Sequence, residues 1–472
     1  MVCYYTNWAQ YRPSPMKFFP EDVDVSLCSH IIYAFSRIEN EKKLDLFEWN
    51  DDKMYARIMD LKKVNPKLMI LLAVGGWKHE SGTTSPFSIM VNNDVNRKKF
   101  VKSVVKLLRN YKFDGFDLDW EFPGGRGNSP AKDKQIWIER FVKQSYCTII
   151  LHHYIVTLYF IYLMIILNNI SLLLRFTVLV KELSVAFEKD ALESGKPALL
   201  LTAAVASAYD VVDAGYEAKE LSKYLHLLHI MAYDLHGTWD KVTGHHAALK
   251  YDGGKSPKRK EYTVEYAVEH WIKKGFPPSK ITLGLATYGR SFYLEDEDDH
   301  GLSADIDISK KDDLAPKGAF TREAGLLAYY EICSMGLTVI QNNKAGAPYG
   351  YKKTVWVSYD DAISLTNKSQ LIKDKKLAGA MFWALDMDDF NGKQCGQGRY
   401  PLLSAVKTAL GGKVKTENLI TEETRSGEIV IPKPMYNGKC YAVGLWKGYP
   451  GMDIWCFINC PKGVCPVCAC AC

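Results

Sequence analysis

Three carboxylates are spaced two residues apart within residues 113–124, at Asp117, Asp119 and Glu121. If this segment is a β-strand, the three side chains share one face, and the apolar residues between them point to the other. Carboxylates stacked in this way repel one another unless they share protons, and the repulsion raises the pKa of at least one of them. A carboxylic acid that stays protonated near neutral pH is what a general acid requires. The segment therefore predicts acid–base catalysis, with Glu121 at the carboxyl end of the strand.

Two other interpretations of these carboxylates are a solvated strand edge and a divalent-metal site. The aromatic and apolar residues on the opposite face argue against a solvated edge, because an edge strand does not need two specialised faces. The absence of histidine nearby weakens the metal interpretation without removing it.

The carboxylate strand belongs to a repeated pattern. Short apolar, β-branched or aromatic runs alternate with amphipathic helical stretches, which is typical of βα units around a parallel sheet. Eight runs are predicted to be core strands: 2–7, 30–36, 68–75, 113–121, 199–206, 227–233, 281–288 and 377–385. Helices are predicted between them, for example at 96–110, 177–192 and 264–274. The fold class is therefore α/β, a (β/α)8 TIM barrel with its reactive groups at the carboxyl ends of the strands.

The barrel is expected to cover residues 1–410 and to carry additions. Residues 291–357, between the seventh and eighth strands, are too many for one helix and contain strand-like pieces, so we expect a small inserted α+β subdomain beside the barrel mouth. Residues 411–434 have no aromatic residue and are rich in Gly, Lys, Thr and Glu, so they are predicted to be a linker. A cysteine-rich module follows at residues 435–472.

The cysteines are concentrated in this last module, which holds seven of the 12. Such density favours a disulfide-stapled module and hence a secreted protein, although zinc is a competing interpretation because three of the cysteines are closely spaced. Seven cysteines cannot all pair with one another. The module is either a carbohydrate anchor or a structural tail. No secretory signal precedes the first predicted strand, so we expect the start of the chain to have been trimmed or misplaced.

Residues 136–174 do not fit the barrel. From 144 to 174 there is no Lys, Arg, Asp or Glu, so the stretch qualifies as a transmembrane helix by length and polarity. A span at this point would put the two halves of the barrel on opposite sides of a bilayer. A protruding hairpin is a second interpretation. We favour a third, sequence outside the mature fold, because removing 136–174 joins the flanks into one amphipathic helix that begins at Ser129-Pro130.

The composition and charge of the chain limit the kinds of partner that we expect. The chain of 472 residues is 47% hydrophobic, as expected of a folded protein, and its net charge of +6 comes from 60 basic and 54 acidic residues that are interspersed. A nucleic-acid footprint is not expected, nor is membrane binding, and the protein is expected to be a monomer.

The carboxylate segment resembles the Asp-x-x-Asp-x-Asp-x-Glu signature of family 18 glycoside hydrolases, the chitinases, in their animal form. All four acidic positions match, at Asp114, Asp117, Asp119 and Glu121. Four further motifs match at the predicted strand ends: Ala-Val-Gly-Gly-Trp at 73–77, Met-Ala-Tyr-Asp at 231–234, Tyr-Gly-Arg at 288–290 and Met-Phe-Trp-Ala-Leu-Asp at 381–386. The resemblance covers nearly all of residues 2–410 apart from the charge-free stretch.

The resemblance implies a chitinase that hydrolyses β-1,4-linked N-acetylglucosamine polymers with retention, through attack by the substrate's own acetamido group. Glu121 would be the general acid and base, and Asp119 would orient the acetamido nitrogen. Asp117 would share a proton with Asp119, Tyr233 would hydrogen-bond the acetamido oxygen, and Asp114 would support the strand. No metal and no organic cofactor is required.

The resemblance also implies a groove for chitin and chito-oligosaccharides, because the apolar faces of sugar rings stack on aromatic side chains. Trp383 would lie under the reacting sugar, with Trp8, Trp77 and Trp239 along the groove. The acetamido pocket would be lined by Tyr5, Met231, Asp234, Tyr288 and Arg290. For each aromatic residue the alternative is a place in the barrel core. Disulfides are implied between Cys3 and Cys28 and between Cys333 and Cys395.

Two rival functions stay open. One is a chitinase-like lectin, which keeps the groove but not the activity, although the acid Glu121 is present here. The other is a membrane-tethered protein anchored by the charge-free stretch. A secreted chitinase is the function that the residues favour.

Overall fold

The computed structural model describes residues 1–40, 42–80, 85–124, 175–252, 260–309 and 315–413, together with two short strands at 441–442 and 470–471. Within these residues the chain forms a closed barrel and a second, antiparallel sheet. The strands, in chain order, are β1 (Val2–Thr6), β2 (His30–Glu39), β3 (Lys43–Asp45), β4 (Met69–Gly75), β5 (Gly115–Asp119), β6 (Leu200–Val205), β7 (Leu227–Ile230), β8 (Ile281–Ala286), β9 (Tyr288–Tyr293), β10 (Leu326–Ala328), β11 (Thr338–Asn342), β12 (Ala347–Lys352), β13 (Val355–Ser358), β14 (Gly379–Trp383), β15 (Tyr441–Ala442) and β16 (Cys470–Ala471).

Eight of these strands make the barrel, in the order β1-β14-β8-β7-β6-β5-β4-β2. Every neighbouring pair is parallel, and β1 also pairs with β2 over its whole length, so the sheet closes on itself. Strand β3 adds an antiparallel edge to the end of β2. Each predicted core strand overlaps one barrel strand, so the predicted eight-stranded parallel barrel is confirmed.

The helices cover the outside of the barrel. They are α1 (Asp51–Val64), α2 (Pro86–Val91), α3 (Asp94–Tyr111), α4 (Arg175–Ser194), α5 (Tyr209–Gly215), α6 (Ala218–Leu221), α7 (Val264–Lys273), α8 (Tyr329–Cys333), α9 (Ala362–Asp374) and α10 (Pro401–Ala409). Local sequence explains where several begin: Asn93 accepts the first free N–H groups of α3, and Thr263 does the same for α7. The three predicted helices correspond to α3, α4 and α7.

Helix α4 is fixed to α3 by two ion pairs. Arg97 of α3 lies 3.1 Å from the carboxylate of Glu182, and the Nε of Arg109 donates to Asp190 at 2.7 Å. Apolar residues of α4 are buried beneath these pairs, among them Leu179, Val180 and Leu183. Phe176 and Thr177 in its first turn are buried as well, so the helix is packed against the barrel from its start.

The second sheet lies between the seventh and eighth barrel strands in sequence. Its order is β10-β9-β13-β12-β11, all antiparallel, and it has a small core of its own that includes Phe292, Ile306 and Trp356. A single residue, Thr287, separates β8 from β9. The second sheet therefore begins directly at the carboxyl end of a barrel strand, where the predicted insertion at 291–357 also falls.

Both predicted disulfides are present, Cys3–Cys28 and Cys333–Cys395. The first ties β1 to the segment before β2, and the second ties α8 to the loop that follows β14. Asp114, just before β5, accepts hydrogen bonds from the Lys62 ammonium at 2.6 Å and from the Ile70 N–H at 2.7 Å. It lies at the amino end of the strand, away from the barrel mouth.

Several predictions concern residues that the structure does not describe. These are the stretch 136–174, the helix predicted to begin at Ser129, most of the linker 411–434 and most of the module 435–472. In that module the structure gives only the antiparallel pairing of β15 with β16. Among the described helices, none has both the length and the apolar character needed to cross a bilayer.

Two glycines at the end of β4 let its backbone approach that of β5 closely. Gly75 has a φ of +118°, and a β-carbon there would overlap the carbonyl oxygen of Asp119. Gly76 donates its N–H to the same carbonyl at 2.8 Å, and a β-carbon on it would press against the ring of Phe35. The Gly-Gly pair thus fixes the backbone that carries Asp119.

We expect Gly75→Ala to destabilise the protein by about 3 kcal/mol or more, because it adds both a steric overlap and an unfavourable φ. Gly195→Ala is the matched control. It also sits at positive φ, +66°, but has no atom within 4 Å of the added carbon, so it should cost only about 1 kcal/mol. Thermal or urea unfolding of the two variants measures both effects, and equal losses would contradict the close approach.

Candidate active site

The alternation predicted for the carboxylate strand is present in β5. Asp117 and Asp119 point into the barrel and are nearly inaccessible to solvent. Trp120, on the other face, is buried against the ring of Phe87, with ring centres 5.1 Å apart. The outward face is therefore held by packing under the helices, and this packing keeps the acidic face turned toward the barrel interior.

Asp117 is clamped by two hydroxyl groups. Tyr4 of β1 and Thr202 of β6 each donate a hydrogen bond of 2.6 Å, one to each carboxylate oxygen. His229 of β7 lies 3.7 Å away, and burial lowers its pKa to about 3, so it is neutral. Burial raises the pKa of Asp117 to about 6, and the two hydroxyl donors limit this rise.

Asp119 is the least satisfied acid of the site. Its side chain is 2% exposed, and within the described residues its Oδ1 atom has no hydrogen-bond partner. Burial raises its pKa well above the usual range, and the charges of Glu121 and Asp117 raise it further. A buried carboxyl with an unmet oxygen can hold a proton for its neighbours and can accept a hydrogen bond from a ligand.

Glu121 lies two residues beyond the last residue of β5 and is partly exposed. Its charge contributes to the raised pKa of Asp119 and also to that of Tyr233, which is 8% exposed at the end of β7. Burial is the largest cause of the raised pKa of Tyr233, so this tyrosine is a neutral hydrogen-bond donor. The structure therefore brings the three carboxylates and Tyr233 into one electrostatic cluster at the barrel mouth.

Asp234 forms a second cluster beside the first. The guanidinium of Arg290 donates to both of its oxygens, at 2.7 and 2.6 Å, and the Tyr288 hydroxyl donates at 2.8 Å. Burial alone would raise the pKa of Asp234, but the pairing with Arg290 holds it well below its usual range. Asp234 is thus an anion paired with two side chains of β9, the first strand of the second sheet.

Aromatic rings surround the carboxylates. Trp383, at the end of β14, has its ring centre 5.2 Å from that of Tyr4, 5.7 Å from that of Phe35 and 6.1 Å from that of Trp8. Trp77 is 50% exposed just after β4, and Trp239 is 54% exposed in the loop after β7. The guanidinium of Arg290 lies 5.5 Å from the Trp239 ring. Met231 is partly buried just after β7.

The prediction that Tyr5 lines the pocket is wrong. Tyr5 is fully buried, and its ring stacks on that of Tyr33 with centres 5.2 Å apart, outside the barrel interior. The neighbouring residue on β1, Tyr4, reaches the carboxylates instead. Because side chains alternate along a strand, an error of one residue moves the side chain to the opposite face.

Sequence reasoning also missed three residues of the site: Tyr4, Thr202 and His229. The signal was present for two of them, because Thr202 and His229 are polar residues within otherwise apolar strands. A polar residue in a strand that is buried on both faces must find a partner inside. For Thr202 that partner is Asp117, and for His229 it is the Thr282 hydroxyl, 2.6 Å from its Nδ1 atom. Trp49, which is 47% exposed and is hydrogen-bonded to Tyr11, was also overlooked among the aromatic residues at this end of the barrel.

In the part of the chain that the structure describes, no group of three His, Cys, Asp or Glu side chains is arranged to hold a metal ion. Two hydroxyl groups donate to Asp117, and the pKa of Asp119 is raised, so both buried acids can hold a proton. The arrangement can deliver a proton from Glu121 at the mouth, while the buried acids beneath it hold a proton and orient a polar group of a ligand.

The chain matches a known protein family and is similar to several known proteins. The family model described as glycosyl hydrolases family 18 matches residues 1–388. Chitotriosidase-1 of Mus musculus is 42% identical over 435 residues, which are 92% of this chain and 81% of that protein. Chitinase-3-like protein 2 of Homo sapiens is 37% identical over 416 residues, which are 87% of this chain and 92% of that protein.

Several solved structures are also similar to this chain. The Trichuris suis protein TsES1, described as an immunomodulatory active chitinase, superposes with a TM-score of 0.74 at 34% identity, covering 87% of this chain and 99% of that chain. Human YKL-39, described as a pseudo-chitinase with retained chitooligosaccharide binding properties, has a TM-score of 0.71 at 37% identity, again covering 87% and 99%. Similar proteins thus include one described as active and one described as a pseudo-chitinase.

The raised pKa of Asp117 makes stability depend on pH in a defined direction. The unfolded chain releases this proton near pH 4, whereas the folded protein holds it to about pH 6, so its contribution is full below about pH 4 and is lost as the pH rises to about 6. Asn does not titrate. The free energy of unfolding of Asp117→Asn should therefore rise relative to that of the wild type by about 3 kcal/mol across this window in urea denaturation.

Thr202→Val provides the comparison for that experiment. It removes a hydroxyl that favours the ionised carboxyl, so the pKa of Asp117 should rise further and the loss of stability should extend to higher pH. A stability offset of Asp117→Asn that is constant with pH, or that changes in the other direction, would show that Asp117 is ionised in the folded protein across the window.

Proposed function

Because this chain belongs to family 18 of the glycosyl hydrolases, we propose that it is a chitinase that hydrolyses β-1,4-linked N-acetylglucosamine polymers with retention of configuration. The observation that carries the proposal is the row of carboxylates on β5, in which Glu121 stands at the mouth above a buried Asp119 with a raised pKa. The residues required for acid–base chemistry and those that could orient an acetamido group lie side by side.

Glu121 is the general acid in the first step. Its proton passes to the glycosidic oxygen as the bond from that oxygen to the anomeric carbon breaks. The carbonyl oxygen of the substrate's acetamido group forms a new bond to the anomeric carbon, which gives a cyclic oxazolinium ion. In the second step the Glu121 carboxylate takes a proton from water, and the water oxygen displaces the acetamido oxygen. Two displacements at one carbon return the original configuration.

Asp119 and Asp117, which are buried beneath Glu121, would assist the attack by the acetamido group. The unmet oxygen of Asp119 would accept the acetamido N–H, and a negative charge there would stabilise the positive charge that develops on the ring. Asp117 would take the shared proton when Asp119 ionises, and its two hydroxyl donors favour its ionised form until then. The proton that relieves repulsion in the free protein thus moves during the reaction.

Tyr233 and the groups around Asp234 would fix the acetamido group. The neutral hydroxyl of Tyr233 would donate to the acetamido oxygen and hold it in line for attack. Asp234, Arg290 and Tyr288 form the adjoining wall, with Met231 at the strand end beside them. Correct orientation of an internal nucleophile is worth several kcal/mol of the barrier, so the rigidity of this wall matters.

The aromatic side chains would bind the polysaccharide. Trp383 would lie under the reacting sugar, because its ring is next to Tyr4, which holds Asp117. Trp8, Trp77 and Trp239 would continue the groove, and the last two are exposed enough to stack on further sugar rings. Chitin and chito-oligosaccharides are therefore the proposed ligands.

A second function, binding of chito-oligosaccharides without hydrolysis, is favoured by one observation, the similarity to a protein described as a pseudo-chitinase. The chain nevertheless keeps Glu121 and both buried aspartates.

We also propose that the protein acts outside the cell, because the two disulfides of the described barrel require an oxidising compartment.

Replacing the acid tests the enzyme directly. We expect Glu121→Gln to lower kcat for a fluorogenic chitobiose or chitotriose glycoside by about 10²–10⁴-fold, because the amide can neither give nor take the proton. Affinity for chitotetraose, measured by calorimetry, should change little. Glu182→Gln is the matched control, because it removes a carboxylate on the outer surface of α4 and should leave kcat unchanged. If the wild type binds chitotetraose without releasing fluorophore, the protein is a lectin.

The configuration of the first product tests whether the substrate's acetamido group is the nucleophile. Proton NMR of a fresh digest should show the β-anomer first, because two displacements retain configuration. A glycoside whose reacting sugar carries a free amine in place of the acetamido group should not be cleaved, since it has no internal nucleophile. Initial formation of the α-anomer, or cleavage of the amine substrate, would exclude acetamido attack.

A further inference from the structure

Lys368 of α9 is a buried cation outside the candidate site. Its side chain is 1% exposed, and its ammonium donates to both oxygens of Asp360, at 2.7 and 2.6 Å. A third hydrogen bond of 2.6 Å goes to the backbone carbonyl of Ala247. Asp360 is 1% exposed and also accepts from the Ser364 hydroxyl at 2.7 Å. All three donors of the ammonium are therefore directed at named acceptors.

An ion pair in this position is not explained by stability. Removing two charges from water costs several kcal/mol per ion, and a pair of well-packed apolar residues is often as stable or more so. What the apolar pair could not do is hold the carbonyl of Ala247. The ammonium is the group that joins this carbonyl to α9.

The segment around Ala247 is tied at two more points. The N–H of His246 donates to the Ser358 hydroxyl of β13 at 2.9 Å, and its carbonyl accepts from the N–H of Leu235 at 2.8 Å. Residues 246–247 are thus fixed to α9, to the second sheet and to the segment that follows Asp234. The position of this segment depends on all three.

The segment in turn contacts the anion of the candidate site. The His246 ring is fully buried, lies 3.7 Å from the carboxylate of Asp234 and has its centre 5.3 Å from that of Tyr288. Asp234 itself has a φ of +56°, a left-handed conformation that aspartate adopts more readily than most residues but that still costs energy and is supported by its surroundings. The hydrogen bond from the Leu235 N–H to the His246 carbonyl is part of those surroundings.

We infer that Lys368, anchored on Asp360, is a positioning residue that sets the place of Asp234 through Ala247 and His246. The inference rests on the proposed function in one respect, that Asp234 lines the acetamido pocket. Lys368 touches neither substrate nor reacting carboxylates. Its loss should therefore weaken the binding of the acetamido sugar while leaving proton transfer by Glu121 intact.

Two variants separate the positioning role of Lys368 from its contribution to stability. Lys368→Met leaves Asp360 buried without its partner, so it should lower the Tm and raise KM for the chitotriose glycoside about 10-fold, with kcat within about 3-fold of the wild type. Asp360→Leu/Lys368→Met removes both charges, so its Tm should return toward that of the wild type. Its KM should stay raised, because the Ala247 carbonyl has still lost its donor. Recovery of both Tm and KM in the double variant would overturn the inference.

Hydrogen exchange supplies a readout that needs no sugar. In both variants the amides of residues 234–249 should exchange at least about 10-fold faster than in the wild type, while those of β4 and β5 should not change. If the protein proves not to hydrolyse chitin, this result still decides whether Lys368 holds the segment. Unchanged exchange of residues 234–249 in the double variant would overturn the inference.

Lys280→Met is the matched control. The Lys280 ammonium also donates to two backbone carbonyls, those of Ser222 and Leu225, each at 2.9 Å, but at the amino end of β8. The variant should lower the Tm and leave both KM and the exchange of residues 234–249 as in the wild type. A raised KM in Lys280→Met would show that any loss of a lysine–carbonyl contact disturbs the groove, and the specific role of Lys368 would fail.

Discussion

The structure depends on one constraint, the burial of two acidic side chains inside a barrel with an apolar shell. Asp117 and Asp119 have almost no contact with solvent, so each needs either a hydrogen-bond donor or a proton. The hydroxyls of Tyr4 and Thr202 meet the need of the first. Strands β1, β5 and β6 must keep their registers for these contacts to form, which links the closure of the barrel to the chemistry at its mouth.

The second sheet extends this constraint to the surroundings of Asp234. It starts one residue after β8, and its first strand carries Arg290 and Tyr288, which hold Asp234. The same sheet presents Ser358 to the backbone of His246. Barrel and second sheet therefore meet at Asp234, and residues 246–247 connect this point to α9, an element far away in sequence.

The barrel could be predicted from sequence because its strands are short apolar runs at regular spacing, and the inward face of β5 followed from alternation alone. Tyr5 shows the limit of this reasoning. Nothing in Tyr4-Tyr5 marks which ring faces inward, and only the register of β1 against β2 and β14 decides it. The anchoring of Ala247 by Lys368 was beyond reach for a different reason: it joins residues 121 positions apart, and no local pattern records such a contact.

The structure describes the chain as far as Gly124, three residues after Glu121, and again from Arg175, the first residue of α4. Ion pairs from Glu182 and Asp190 to α3 hold this helix in place. Both ends of the connection between β5 and α4 are therefore fixed by contacts of their own. Doubling the length of a flexible loop between fixed ends costs only about 0.6 kcal/mol of closure entropy. The barrel can thus tolerate large differences in the number of residues between Gly124 and Arg175, with the acids of β5 left undisturbed.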